Sequence, residues 1–184
     1  MKSPHPIKMA IATTKRLLLR LVTPQDITDH YIKALNDLSV VGLTEARHKK
    51  WDRNGVERYF RDSNQEGISQ LIGVFLKDGD RYIGNVRLFN FHSMHRRAEL
   101  GIMMFDKREW SKGYASEALS AVVDYAFQEL KLHRIHADYY ATNAASARLF
   151  EKCKFKVEGI FKDHFWVKDQ FVDSVRIGRC HADD

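Results

Sequence analysis

The sequence predicts an α+β fold in which helices flank a central mixed, mostly antiparallel sheet of about seven strands. Residues 110–130 carry apolar side chains at the i, i+3, i+4, i+7 spacing of a helix with one buried face. Asp78-Gly79-Asp80 lies between two strand-like stretches and indicates a hairpin turn. Hairpins join antiparallel strands, whereas a strand, helix, strand run joins parallel ones, so a chain with both features favours a mixed sheet.

The N-terminal half supplies one strand, two helices and three further strands. Residues 16–23 are mostly apolar and predict the first strand. Thr23-Pro24-Gln25-Asp26 then gives a helix start with a cap, a proline at the first helical position and an acid in the first turn, and this helix is expected to reach about Asn36. Asn54 is expected to cap a second short helix that ends at residue 60 or 61. Strands are predicted at residues 68–77, 81–91 and 95–105.

The C-terminal half follows the long helix with a strand, a helix and a final hairpin. The strand is predicted at residues 134–141 and the helix at residues 143–152. Residues 155–167 and 170–179 form the hairpin, with its turn at Lys168-Asp169. Side chains of the strand at 95–105 alternate between the two faces of the sheet, so its register decides which of them face a ligand.

Length and composition favour one soluble globular domain. The chain has 184 residues, of which 44% are hydrophobic and 29% charged. We assign the domain to residues 14–181 and expect residues 1–13, a short segment that contains prolines, to be flexible. Apolar runs of membrane-spanning length and the apolar core of a signal peptide are both missing, so we expect a cytoplasmic protein with no membrane partner.

The basic charge of the chain leaves its ligand open. A net charge of +6 fits nucleic acid, an anionic small ligand or merely a basic solvated surface. The basic residues are dispersed apart from small clusters such as residues 47–50, so no nucleic-acid partner is expected. Cys153 and Cys180 lack the spacing of metal ligands, and His133 and His136 lie on a predicted strand where no nearby cysteine or carboxylate is expected to complete a metal site with them. We therefore expect no metal and interpret both histidines as surface or packing residues.

The turn before the long helix, residues 111–116, is suited to an anion. The first N–H groups of a helix have no intrahelical partner, and the helix dipole adds partial positive charge there. Gly113 allows a positive φ and a close approach of a phosphate or pyrophosphate. Taken alone, the same residues fit an ordinary helix start with Ser111 or Ser116 as its cap, so the context must decide.

Together with the order of elements, this turn resembles the GNAT superfamily of acetyl-CoA-dependent N-acetyltransferases over nearly the whole chain from Thr14 onward. Residues 110–115 are similar to its Q/R-x-x-G-x-G/A signature, with Trp110 at the first position in a manner typical of the RimJ/RimL-like branch. Residues 143–155 resemble the N-x-x-S-x-R and E-K-x-G-F run of that branch, with Lys154 in place of the usual glycine.

The resemblance implies acetyl-CoA as a co-substrate. The amides of the turn would bind the pyrophosphate, the end of the strand at 95–105 would pair with the pantetheine arm, and the start of the helix at 143–152 would contact the cofactor and its phosphates. Asn143 fits a helix cap equally well. The residues implied for cofactor binding are Met103, Met104, Phe105, Ser111, Lys112, Gly113, Tyr114, Ala115, Ser116, Asn143 and Arg148.

The chemistry needs a base, because an amine is protonated at neutral pH. Glu99 is our candidate, since a carboxylate among apolar neighbours on a central strand is costly to bury without a partner or a purpose. An ion pair with Arg96 or Arg97, or a solvent-facing position, is the alternative. Many superfamily members donate a proton from a tyrosine in the position of Phe150, so the resemblance leaves the role of donor to Ser146 or to no residue at all. Ser146 fits a capping residue as well.

The resemblance also implies that the first two helices and the final hairpin select the acceptor. Residues 35–37, 47–51 and 163–165 are similar to those of a subgroup that acetylates amino groups on nucleotide-linked sugars. The basic residues at 47, 49 and 50 would favour such an anionic acceptor over a polyamine. A protein N-terminal amine is the alternative acceptor. Two alternative functions of other classes are a non-catalytic acyl-CoA-binding module and a nucleic-acid-binding domain. A homodimer is also possible.

Overall fold

The computed structural model describes residues 10–181, in which eight strands form one sheet in the order β1-β2-β3-β4-β5-β6-β8-β7. All neighbouring strands are antiparallel except β5 and β6, which run parallel. The predicted mixed, mostly antiparallel sheet is therefore confirmed, with one strand more than expected. The strands are β1 Ala10–Thr13, β2 Leu17–Leu21, β3 Ser69–Leu76, β4 Arg81–His92, β5 Arg97–Met104, β6 Arg134–Tyr140, β7 Lys156–Val167 and β8 Gln170–Cys180.

Helices cover both faces of this sheet. The apolar stripe of α4 buries Leu119, Val122 and Val123 together with α5 against one face, as the spacing of residues 110–130 predicts. The other face packs on α1 to α3 through a second cluster that includes Tyr31 and Phe60. The helices are α1 Asp29–Leu35, α2 Leu38–Val41, α3 Arg53–Asp62, α4 Tyr114–Gln128 and α5 Ala144–Lys152. No helix in the described part of the chain is long and apolar enough to cross a membrane.

Two boundaries in the first third differ from the prediction. Residues 10–13, which we assigned to the flexible segment, form β1 and pair with β2, while residues 1–9 lie outside the described residues. The helix expected from Pro24 is interrupted: Pro24–Asp26 is one 3₁₀ turn, and α1 begins only after Thr28, which accepts a hydrogen bond from the Tyr31 N–H at 3.1 Å. The backbone becomes extended at Ile27, with ψ of 101°, and both oxygens of the preceding Asp26 accept bonds from Arg20, each at 2.8 Å.

The cap of α3 also lies elsewhere than predicted. Asp52, and not Asn54, is the N-cap, and its carboxylate accepts a hydrogen bond from the Gly55 N–H at 2.7 Å. An aspartate caps as well as an asparagine, so the sequence alone does not separate the two positions.

The parallel pair of strands is short and leaves a gap. β5 and β6 are paired only at Arg97↔Arg134, Ala98↔Ile135 and Glu99↔His136. Beyond that point β5 continues to Met104 and β6 to Tyr140 without pairing to each other. Backbone groups of β5 that face β6 are consequently left for another partner, because buried N–H and C=O groups are almost always hydrogen-bonded.

Candidate active site

The turn at residues 111–116, called here the α4 turn, holds open N–H groups at a helix start. Ser111 and Gly113 have left-handed backbone conformations, with φ of 61° and 82°. Gly113 is the N-cap of α4 and has no side chain to cap it, so the interpretation with Ser111 or Ser116 as cap is wrong. The first intrahelical bond runs from the Glu117 N–H to the Gly113 carbonyl at 3.1 Å, which leaves the N–H groups of residues 114–116 pointing out of the helix. This arrangement fits a pyrophosphate.

One carboxylate anchors the α4 turn to the start of β2. Oε1 of Glu117 accepts hydrogen bonds from the Thr14 hydroxyl at 2.5 Å and the Arg16 N–H at 2.9 Å, and Oε2 accepts from the Arg16 guanidinium at 2.7 Å. Arg16 also donates to the carbonyl of Lys112 at 2.9 Å. Burial would raise the pKa of Glu117, but the bonds from Thr14 and Arg16 outweigh it and lower the pKa. Sequence reasoning missed this anchor, because Thr14 and Arg16 are each about a hundred residues away from Glu117 in the sequence.

The end of β5 and the residue that follows it carry the three positions that the resemblance implies for the pantetheine arm. Phe105 is 1% exposed among the rings of α1 and β4, and its N–H donates to the Ile83 carbonyl at 3.0 Å. Phe105 therefore stays a predicted cofactor residue, with its ring packed in the protein and its N–H bound to β4. The Met104 carbonyl accepts a bond from the Trp110 indole at 2.8 Å, and Met103 packs its side chain against the cluster of α1 to α3.

The start of α5 presents a cap and a cation. Oδ1 of Asn143 accepts a hydrogen bond from the Ser146 N–H at 3.0 Å, so Asn143 is the N-cap that the alternative reading expects. Arg148 is exposed and forms no ion pair with another described residue. Lys112, by contrast, is bound to Glu109 at 2.9 Å. Of the predicted phosphate cations, Arg148 is therefore the one whose charge is not offset by a neighbouring carboxylate.

Glu99 lies at the point where β5 and β6 part. Its Oε1 is 3.3 Å from Nε2 of His136, and its Oε2 accepts a hydrogen bond from Nδ2 of Asn90 at 3.0 Å. The predicted alternative, an ion pair with Arg96 or Arg97, is wrong. His136 is buried, as a packing residue should be, and burial lowers its pKa. Glu99 is thus a half-buried carboxylate held by neutral donors.

A long-range network fixes residues 42–51, called here the basic loop. Arg47 donates through Nη1 to the Tyr140 hydroxyl and through Nη2 to the Trp166 carbonyl at 3.1 Å, and the same hydroxyl donates to Glu45. Burial and the Glu45 carboxylate raise the pKa of Tyr140 to about 12. Phe165 stacks on the Tyr140 ring at a centroid distance of 4.0 Å. Arg47 is therefore bound to the end of β6 and to β7, and the sequence did not predict these contacts.

The basic loop borders a cavity of about 320 Å³. His136, Asp138 and Tyr140 alternate along β6 and share the face of the sheet on which Glu99 lies. Tyr140 therefore joins this face to the loop. The lining residues of the cavity are Leu35, Asn36, Leu38, Val41, Arg47, His48, Lys49 and Lys50.

Comparison with known proteins shows a family. Residues 16–156 match the model of an acetyltransferase (GNAT) domain. The uncharacterized N-acetyltransferase YoaA of Bacillus subtilis (strain 168) is 30% identical over 85% of this chain and 88% of its own length. The ribosomal protein uS5-alanine N-acetyltransferase of Escherichia coli (strain K12) is 29% identical over 89% of this chain and 87% of its own length.

Solved structures share the fold. RimL, a ribosomal L7/L12 α-N-protein acetyltransferase in complex with coenzyme A, superimposes with a TM-score of 0.86 at 16% identity and covers 96% of this chain and 100% of its own. A spermidine N-acetyltransferase from Vibrio cholerae in complex with coenzyme A and spermine gives a TM-score of 0.80 at 21% identity, with 91% and 96% covered. At these identities the likeness carries the fold and not the acceptor.

Proposed function

Because the chain belongs to the GNAT acetyltransferase family and is an N-acetyltransferase, we propose that it moves the acetyl group of acetyl-CoA to a primary amine on an anionic acceptor. An amino sugar nucleotide is the class of acceptor that we favour. The ribosomal-protein acetyltransferases among its relatives agree with the RimJ/RimL-like resemblance. The observation that carries the proposal is the basic loop, which lines a cavity on the same face of the sheet as Glu99.

Two features of the chain support binding of the phosphates and the pantetheine arm of acetyl-CoA. The open N–H groups at residues 114–116 and the guanidinium of Arg148 would hold the phosphates, and the unpaired edge of β5 beyond Glu99 would hold the pantetheine arm. Met103 and Met104 would serve there through their backbone. The bound cofactor supplies an acetyl group activated as a thioester.

The reaction then requires two proton movements. Glu99, at the point where the strands part, would take a proton from the acceptor amine, whose nitrogen forms the new C–N bond as the C–S bond breaks. The departing thiolate takes up one proton. Ser146 is the donor that we propose for it, because Phe150 is buried between two rings and has no proton to give.

The charges at the cavity favour an anionic acceptor. Arg47 is offset by Glu45, but Lys49 and Lys50 are exposed and form no ion pair with another described residue. A positive field of this kind attracts phosphates and repels polyamines. A protein N-terminal amine is the second candidate, and the similarity to the uS5-alanine N-acetyltransferase supports it.

Release of coenzyme A from acetyl-CoA, measured against nucleotide amino sugars, N-terminal peptides and polyamines, tests the proposal. We expect turnover with an amino sugar nucleotide and a rise of KM for it of about tenfold or more in Lys49→Glu/Lys50→Glu, since about 1.4 kcal/mol corresponds to a factor of ten. Lys131→Glu/Lys156→Glu makes the same change in net charge at exposed lysines away from the cavity and should leave KM unchanged. Turnover with peptides or polyamines only would overturn the anionic acceptor.

A further inference from the structure

The carboxylate of Glu99 is held from two strands. Nε2 of His136, on β6, lies 3.3 Å from Oε1, and Nδ2 of Asn90, on β4, donates to Oε2 at 3.0 Å. Glu99 and His136 form the last residue pair before β5 and β6 part. The carboxylate therefore has both oxygens engaged at the edge of the gap, which restricts its rotation.

The protonation of His136 follows from its surroundings. An ionised carboxylate can only accept, so the nitrogen that faces Glu99 must carry the proton. The side chain is 5% exposed, and its other nitrogen, Nδ1, is buried without a hydrogen-bond partner among the described residues. A buried polar atom without a partner costs free energy and calls for an explanation. The cost of leaving Nδ1 without a partner is explained if the imidazole is kept in this position for the hydrogen bond that Nε2 makes to Glu99.

The other charges near His136 are already paired. Arg176 of β8 is bound to Asp138 with Nε and Oδ1 at 2.6 Å, and Arg134 is bound to Glu158 of β7 with Nη1 and Oε1 at 2.7 Å. Glu99 is the carboxylate that faces His136 from β5. Neither arginine is hydrogen-bonded to Glu99. Burial lowers the pKa of His136 most, Glu99 acts to raise it, and the two arginines lower it further.

We propose that His136 is a positioning residue that acts through Glu99, with Nε2–H fixing the carboxylate at the edge of the gap. The inference rests on the proposed function, in which Glu99 receives the proton of the acceptor amine. Throughout that step His136 keeps its single proton on Nε2 and donates it as a hydrogen bond. Removing the imidazole would leave Glu99 chemically intact but held by Asn90 alone, so that its carboxylate is less restricted in rotation. This change should lower kcat more than it changes binding of acetyl-CoA.

A double-mutant cycle on the intact chain tests this inference. We expect His136→Leu to lower kcat by about tenfold to a hundredfold, because positioning is part of the 10²–10⁴ that a general base contributes. His136→Gln, whose amide can donate in the same direction, should keep kcat within about threefold. In the Glu99→Gln background, His136→Leu should have no further effect. The inference is overturned if His136→Leu lowers kcat equally in both backgrounds, or if His136→Gln lowers kcat as far as His136→Leu does. It is also overturned if kcat falls in neither variant.

A spectroscopic measurement separates this inference from the proposed function. The ¹⁵N shifts of the His136 ring should show a neutral imidazole with its proton on Nε2 at neutral pH, and that preference should be lost in Glu99→Leu. A proton on Nδ1 in the wild type would overturn the inference while leaving amine turnover untouched. The expected tautomer without turnover of any amine would instead overturn the proposed function, and with it the catalytic use of the pair.

Discussion

The α4 turn takes its shape from backbone conformation and one anchoring carboxylate, whereas the basic loop takes its shape from side chains far along the chain. In the turn, Gly113 at φ 82° sets the direction of the N–H groups, and Glu117 ties the turn to β2. In the loop, Arg47 reaches Tyr140, 93 residues away, and Trp166, 119 residues away. A site built from backbone conformation can be predicted from a local pattern, whereas a site built from distant side chains depends on contacts that sequence spacing does not reveal.

The largest effect on the α4 turn is expected from a substitution of Gly113. Gly113→Val forces a β-branched side chain into a left-handed conformation, which costs about 1–2 kcal/mol, and places it where the phosphates would approach. We expect the Kd for coenzyme A, measured by calorimetry, to rise by about tenfold or more.

Gly67→Val is the matched control for Gly113→Val. Gly67 has a φ of 69° with no atom within 4 Å of an added Cβ, so the backbone penalty is similar but the position lies in the turn before β3. It should lower the thermal midpoint by a similar amount without changing the Kd. Equal losses of affinity in both variants would show that Gly113 matters only for stability.

The basic loop should be loosened by removing one hydroxyl. Tyr140→Phe takes the acceptor from Arg47 and the donor from Glu45, which should destabilise the fold by about 1–3 kcal/mol. Hydrogen exchange across the basic loop should accelerate, and KM for the acceptor should rise while the Kd for coenzyme A stays constant. Tyr125→Phe, which loses only a 3.4 Å bond to Gln70, is the control. Unchanged exchange would contradict the role assigned to this network.

The hydrogen bonds of Glu117, which anchor the α4 turn, should make the free energy of unfolding depend on pH. Because the pKa of Glu117 is lowered on folding from 4.5, its contribution is complete above about pH 4.5 and is lost as the pH falls through the lowered value. Glu117→Gln should therefore lower the free energy of unfolding by about 1–2 kcal/mol at pH 7, and the difference from wild type should shrink toward pH 3.

The control for this pH series is Glu129→Gln. Glu129 is exposed at the other end of α4 and forms no ion pair with another described residue. The free energy of unfolding of the Glu129→Gln variant should stay within about 0.5 kcal/mol of wild type. Urea titrations at several pH values measure both variants. A pH-independent deficit in Glu117→Gln would mean that packing, and not the charged carboxylate, holds the turn.

The smallest effect expected is the difference between two surface cations. Arg148→Ala should weaken binding of coenzyme A by about threefold at low salt and less at high salt, because exposed charges are screened. Lys112→Ala should matter less, since Glu109 already offsets that charge. Calorimetry at two salt concentrations compares them. A larger loss in Lys112→Ala would reverse this assignment of the phosphate contacts.

Sequence reasoning succeeded where the determining residues are neighbours. The hairpin at residues 78–80 follows from a local pattern, and Gly79 and Asp80 have the positive φ values, 77° and 48°, that such a turn needs. The α4 turn and the helix behind it were found for the same reason. β1 was missed because its four residues gain their order from pairing with β2 and not from a pattern of their own.

The candidate site was predicted only in part. Glu99 was identified from the cost of burying a carboxylate, but its partner His136 is 37 residues away and meets it only in the register of β5 and β6. Arg47 was predicted as part of a basic acceptor cleft because its charge is visible in the sequence, whereas its bonds to Tyr140 and Trp166 are not. The burial of Phe105 among the rings of α1 and β4 was not predicted, because a strand pattern does not show where the strand ends.

The most direct test of the central claim is a comparison of Glu99→Gln with wild type in coenzyme A release and coenzyme A binding. If Glu99 takes the proton of the amine, kcat should fall by about 10²–10⁴ while the Kd for coenzyme A stays within about twofold. The substitution keeps the size of the side chain and its contact with Asn90 through an oxygen. A Glu99→Gln enzyme that acetylates its amine at the wild-type rate would contradict the account.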